Sequence, residues 1–542
     1  MFKRNPRQLQ PTLINSISEL PDKYRERLDE SWAGAFRREC FGRIREDAFA
    51  VLFSDVDSRP NTPVNILVGL DVIKAGFGWS DEELYNHFLF DLQVRHALGL
   101  DTLAEGDFDL RTLYNFRRRL AQYHLAHGVN LLTEAFADIT DQQITTFKVQ
   151  TNIQRMDSVQ LASNIMDMSR LQLLVEAVQR LHRLLSPADQ SRYAELLAPY
   201  VESNSRQYVY HVKGKEATHE RIAQLGPILA RLLSELQSSY GQTPTFQALE
   251  RLFGENYHLE AAGPRLKANS EISAGCLQSL DDLEATYRKK GNRAYKGYVA
   301  NVTETCHPEN ELQIITKVQV APNNTDDAQM LVEALPDLKR RTELDTLHND
   351  GGFTGPEADQ ALRAHGVTQI PTAIRGTQPD TEKLHLSDFA IEQDAQGEPT
   401  QVTCPQGQQA SVSPVGKGRS FVAHFATEIC ETCPYALDGR CPTEVGKRRR
   451  HFRLSFSQPQ LDRAQRRRRC AAVKTALKNL RVAVEATVRS VKHPFPAGKL
   501  PVRGWFRVTC MVIGSAAMTN VRRIQRYLAR KSTPQPVCQG CA

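Results

Sequence analysis

No run of about 18 apolar residues occurs in this 542-residue sequence, which removes a membrane-spanning helix from consideration. The first ten residues, MFKRNPRQLQ, lack the apolar segment of a secretory signal, so an intracellular, cytoplasmic location is expected, without membrane association. Cysteine is sparse and odd in number, 11 residues scattered over a long chain, which excludes a secreted disulfide scaffold. The sharpest shortage is local. From Val445 onward 23 Lys or Arg stand against two acids, Asp462 and Glu485.

That end of the chain therefore carries a net charge of +21, while the whole carries +7, leaving −14 for the residues before it. Positive charge gathered at one end points to a polyanionic partner. With 41% hydrophobic residues the chain can bury a large core, and its length predicts several domains.

Glu485 is the anomaly in the basic end. It lies in residues 471–493, AAVKTALKNLRVAVEATVRSVKH, where Leu477, Leu480, Val484, Val488 and Val491 recur every three or four residues. The spacing predicts one helix stopped at His493-Pro494. Lys478, Arg481, Arg489 and Lys492 would share the face of Glu485. Two readings are open: ion pairs on a solvated helix, or an ionised carboxylate offered to a divalent metal beside cations that bind phosphate.

Residues 1–140 read as a helical domain, with a capping-box spacing from Ser80 to Glu83. Within it DLRTLYNFRRRL, residues 109–120, turns Leu113, Phe116 and Leu120 inward and Arg111, Arg117, Arg118 and Arg119 mostly outward, as a helix lying on DNA would. The period then changes. Phe147, Val149, Thr151 and Ile153 alternate with polar residues, predicting a strand that ends at Asp157. Helical patterning resumes from about residue 160 to about 270 and reads as an insertion. Strands are predicted over 298–303 and 312–320, followed by a short helix whose first turn holds Asp326 and Asp327, acids the helix dipole explains.

Residues 344–370 read as strand, helix, strand, which implies a parallel pair with Asp350 at the carboxyl end of its first strand, where α/β sheets place ligands. Asp345 is the fallback if the register differs. From 372 to 445 the chain is polar and rich in Gly, Pro and Gln, and carries Cys404, Cys430, Cys433 and Cys441; the CETC spacing suggests a zinc site. Cys538 and Cys541 form a weaker pair in the tail. The basic runs 447–450 and 466–469 favour phosphate binding by their excess.

Two aspartates near strand ends and a glutamate on a basic helix can together hold two Mg²⁺ ions that clamp a phosphodiester. At this point the sequence resembles bacterial insertion-sequence transposases of the DDE type. RMDSVQLASNI around Asp157, YKGYVANVTET with ITKVQVAPNNTDDAQML, HNDGGFTGPEA around Asp350, and DLRTLYNFRRRL carry the likeness. Arg481, Glu485 and Lys492 match the arginine, glutamate and lysine of the family's third motif, while Lys478 stands at its tyrosine position.

The resemblance implies an RNase H-like α/β catalytic core, interrupted by a helical insertion and a cysteine-bearing insertion and preceded by a helical N-terminal DNA-binding domain. Its parts would be 1–140, 141–371 with the helical insertion at 160–290, 372–445, and a basic helical part, 446–542, that completes the core. It further implies catalysis by Asp157, Asp350 and Glu485 as ligands of two Mg²⁺ ions, with Mn²⁺ as a substitute. Arg481, Arg489, Lys492, Arg117 and Arg118 would bind DNA. The expected activity is cleavage at the ends of a mobile element and strand transfer to target DNA, by a homodimer associated with the nucleoid. The competing functions are a metal-dependent nuclease of the same fold without strand transfer and a non-catalytic DNA-binding protein.

Overall fold

The computed structural model describes the chain except residues 6–15, 55, 57–59, 103–104, 213, 377–378, 395–396, 417–419, 446–450, 476–478 and 533–542. The N-terminal region is helical. Its main elements are α1 (Trp32–Glu39), α2 (Val64–Phe77), α3 (Leu110–His127) and α4 (Leu131–Phe147). The Ser80–Glu83 capping box is formed as its spacing predicts.

α4 ends at Phe147, so the alternation from Phe147 to Ile153 is not a strand. Lys148 adopts a left-handed φ of 51° and Val149 N–H bonds back to Ile144 O at 3.0 Å, closing the helix. Phe147 and Val149 then pack with Ile314 and Ile524, which accounts for their apolar character. Strand β1 starts later, Ile153–Leu161, and Asp157 sits in its middle rather than at its end.

After β1 come α5 (Arg170–Leu184), α6 (Lys215–Tyr240) and α7 (Pro244–Asn256), which bury a core of their own and lead into a hairpin, Tyr257–Glu260 with Gly263–Leu266, that the sequence reading lacks. The chain returns through β2 (Thr286–Lys290), β3 (Arg293–Thr305) and β4 (Ile315–Pro322) to α8 (Asp327–Arg341). Then follow β5 (Thr346–Asn349), α9 (Pro356–Ala364) and β6 (Thr368–Pro371).

These strands form one mixed sheet in the order β4–β3–β1–β5–β6, with β2 also on β3. β4–β3 and β3–β1 are antiparallel; β1–β5 and β5–β6 are parallel. The parallel pair expected on either side of α9 is present.

Residues 390–457, where the sequence reading placed no strand, form a second sheet. Its strands are β7 (Ala390–Gln393), β8 (Pro399–Thr403), β9 (Gln409–Val415), β10 (Ser420–Phe425), β11 (Glu444–Val445) and β12 (Phe452–Ser457), all antiparallel. One face buries Phe389, Val402, Phe421, Phe425, Leu454 and Phe456. The opposite face is polar, so the longer-paired strands alternate, as Phe452 to Ser457 does.

The expected single helix over 471–493 is two. α10 runs Gln458–Thr475 and α11 runs Val482–Lys492, with Arg481 at the start of the second. Lys478 and Leu477 lie outside the described residues, as do the run 447–450, Cys538 and Cys541. The last helix, α12 (Trp505–Ser532), packs on α2, α1 and β4. A Cβ on Gly514 would lie 2.7 Å from that of Ala75, so the bare backbone is what lets α12 approach α2 so closely.

A fully buried carboxylate ties sheet and helices together. Glu304, on β3, accepts from Arg155 Nε of β1 at 2.6 Å, Thr487 Oγ1 of α11 at 2.7 Å and Arg523 Nη1 of α12 at 2.7 Å. Glu304→Gln would leave two guanidinium groups without their counter-charge. We expect it to cost about 3–5 kcal/mol of unfolding free energy in urea titrations, against near-neutrality for Glu309→Gln on the exposed turn after β3.

Candidate active site

Asp157 reaches the site from the middle of β1, Asp350 from the turn directly after β5, and Glu485 from the first turn of α11. The backbone explains each placement. β1 and β5 are neighbouring parallel strands, so their carboxyl ends open on the same edge. Asp350 caps a tight turn by accepting from Gly352 N–H at 2.8 Å. α11 is laid across that edge by the Thr487 bond to Glu304, two residues beyond Glu485, and by Arg155 Nη1 donating to Leu480 O at 2.8 Å.

All three carboxylates face one guanidinium. Arg481 Nη2 is 3.1 Å from Asp157 Oδ2 and 3.9 Å from Asp350 Oδ2, and its Nη1 is 3.4 Å from Glu485 Oε1. Exposure rises across the set: the side chains of Asp157, Asp350 and Glu485 are 11%, 33% and 49% exposed, so the site opens toward Glu485. Burial pushes the Asp157 carboxyl above its ordinary value, Arg481 pulls the other way, and the charge of Asp350 adds to the rise. Asp345, the fallback, sits exposed at the other end of β5, where its backbone pairs with Asn152 and Thr368.

The donor set is oxygen only, which suits a hard divalent cation, and a positive charge already rests where the donors meet. Even so, among the described residues no three or more histidine, cysteine or acidic side chains are spaced to hold a metal ion. For the acids the reason is visible: they are turned toward Arg481. Cys404, Cys430, Cys433 and Cys441 form no such group either, so the zinc expectation gains no support. Cys404, Cys430 and Cys441 border the core of the second sheet, and burial together with Cys441, Cys404 and Cys433 pushes the Cys430 thiol up to about 11.

The predicted DNA-binding cations divide. Arg118 and Arg489 are exposed. Arg117 is engaged inside the fold by Asp71 at 2.6 Å and Asp81 at 2.7 Å. Lys492 donates to Gln160 O at 2.9 Å, and burial followed by Arg293 lowers its pKa. The run 466–469 is partly structural too: Arg466 forms a buried pair with Asp359 of α9, and Arg468 bonds the carbonyls of Ser387 and Phe389. The sequence reading had not singled out Arg522 and Arg526, which with Arg489 and His493 line a cleft between α11 and α12. Their four-residue spacing on one helix face was the available signal.

Residues 403–525 match the family described as Transposase DDE domain. That part of the chain is therefore similar to the DDE domain of transposases. The match takes in Arg481, Glu485 and Lys492 and leaves Asp157 and Asp350 outside it. Transposases of this type act on DNA and use divalent metal ions. No curated protein and no solved structure matches the chain. Among the described residues no helix is long and apolar enough to cross a membrane.

Among the described residues Arg481 is the cation that holds Asp157 down against burial and Asp350. Arg481→Gln should therefore raise the Asp157 carboxyl further, by about 1–3 pH units, in a ¹³C NMR titration of the metal-free protein. An unmoved titration would show that Arg481 does not face Asp157 in solution.

Proposed function

We propose that this chain is a DDE transposase that cleaves DNA at the ends of a mobile element and joins the freed 3′ ends to target DNA, with Asp157, Asp350 and Glu485 as its catalytic acids. The observation that carries the reading is the convergence on the Arg481 guanidinium of three acids far apart in sequence, at positions 157, 350 and 485. The strand order β4–β3–β1–β5–β6, antiparallel then parallel, supports an RNase H-like core into which 160–290 and 372–445 are inserted. Residues 1–140 would bind the element's ends and 446–542 complete the core.

Asp157 and Asp350 would hold a pair of Mg²⁺ or Mn²⁺ ions together with Glu485, the most exposed of the three and so the acid nearest arriving DNA. Such ions, when bound, activate the attacking oxygen and stabilise the leaving one. The protein's own work is positional. α11 presents Glu485 at its N-terminal turn, where the helix dipole favours an anion. Arg489, Arg522 and Arg526 offer a phosphate track beside it. Arg481, drawn from the acids as they take up cations, would be freed toward a DNA phosphate, the role its place in the third motif implies. A homodimer pairing two element ends follows from the same resemblance.

Asp157→Asn and Glu485→Gln should each lower Mg²⁺-dependent cleavage of a duplex selected by its binding to the protein, by on the order of 10²–10³-fold or more. Affinity for that duplex, read by fluorescence anisotropy, should stay near wild type. Cleavage that survives either change overturns the site. Pre-cleaved ends separate transposition from plain nuclease action: they should be joined to target DNA rather than degraded.

A further inference from the structure

Asp326 and Asp327 open α8 side by side, yet the fold uses them differently. Asp326 is the cap: its Oδ1 accepts from Ala328 N–H at 3.0 Å and its Oδ2 pairs with Arg375 at 2.5 Å. Asp327 is turned the other way, into the sheet edge, and only 8% of its surface is exposed. Its Oδ1 is buried and has no hydrogen-bond partner among the described residues. Its Oδ2 is 3.9 Å from Arg288, a long contact.

The same carboxylate stands against the second catalytic aspartate. A Cβ placed on Gly352 would meet Asp327 Oδ2 at 2.8 Å and Asp350 Oδ1 at 3.0 Å, so only a bare backbone fits between the two acids. Burial, and then the charge of Asp350, push the Asp327 carboxyl up, while Ser158, next to Asp157, and Arg288 oppose that. Helix capping needs no second acid here, and a buried carboxylate with one oxygen unsatisfied is destabilising unless something completes it. Asp326 already supplies the cap.

Building on the metal-site reading above, we infer that Asp327 is a fourth acidic residue of the site. It is a positioning residue whose Oδ2, which faces Asp350 across the bare Gly352 backbone, accepts hydrogen bonds from the water shell of the divalent ion held at Asp350.

The test is Mn²⁺ binding to the full-length, DNA-free protein, followed by the electron paramagnetic resonance signal of free Mn²⁺, alongside metal-free thermal melting. Asp327→Asn should weaken Mn²⁺ binding about 10–100-fold, the usual range for groups that orient a metal's ligands. The metal-free melting temperature should stay level or rise, since a buried, repelled charge is removed. Asp327→Ser should weaken binding similarly, and Asp326→Asn, which still caps, should leave it at wild type. Unchanged Mn²⁺ affinity in Asp327→Asn, or an affinity loss that appears only with a collapsed melting temperature in both Asp327 variants, overturns the inference. Asp350→Asn separates the two levels: if that variant binds Mn²⁺ like wild type, the metal site itself has been misassigned, whatever Asp327 does.

Discussion

Glu304 has no exposed surface, and it is bonded by four elements' worth of structure: its own strand, Arg155 of β1, Thr487 of α11 and Arg523 of α12. The antiparallel register of β1 and β3 places Arg155 directly opposite Glu304. Two residues along β1, on the same face, lies Asp157; two residues before Thr487 along α11 lies Glu485. One buried anion thus sets the separation of two of the three candidate catalytic acids. Desolvating it is expensive, and two guanidinium groups and a hydroxyl offset that cost only in one geometry. Such an interaction adds little to net stability but discriminates strongly against any other docking of α11.

Once α11 is fixed, the charge balance at the sheet edge follows. Asp157, Asp350 and Glu485 surround one guanidinium, and Asp327 stands behind Asp350. Arg481 neutralises part of that charge, and the remainder creates a local demand for cations. Burial raises the Asp157 carboxyl while Arg481 opposes it, so a divalent cation entering the proposed site would have to displace Arg481 from its salt bridge.

The residues that were legible from sequence are those whose local chemistry is peculiar. Asp350 precedes Gly-Gly at the end of a short apolar run and before a Pro-opened helix, and each of those signals refers to backbone geometry. Glu485 stood out as an acid among cations. The errors share a cause: periodicity does not know where an element begins. Phe147 and Val149 alternate like strand residues because both pack on α12, although one ends a helix. The stripe from Leu477 to Val491 keeps helical spacing across the join between α10 and α11. The second sheet was hidden because its strands are short and set in a polar stretch rich in Gly, Pro and Gln. Asp327 was hidden by Asp326, since either could serve as the cap and only the fold decides which one turns inward.

The join between α10 and α11 has its own logic. α10 is docked on both sheets' surroundings: Arg466 and Asp462 bind it to α9 of the first, and Arg468 binds it to the segment leading into β7 of the second. Were α10 and α11 one rigid rod, the orientation of Glu485 would be inherited from that docking, some 20 residues upstream. Ending α10 at Thr475 and restarting at Val482 removes the lever. α11 is then free to take its position from Glu304, Leu480 and Arg481, all of which contact β1 or β3 or the carboxylates themselves. The second sheet can therefore be carried between Asp350 and Glu485 in the sequence without having to be built to the tolerance the acids require.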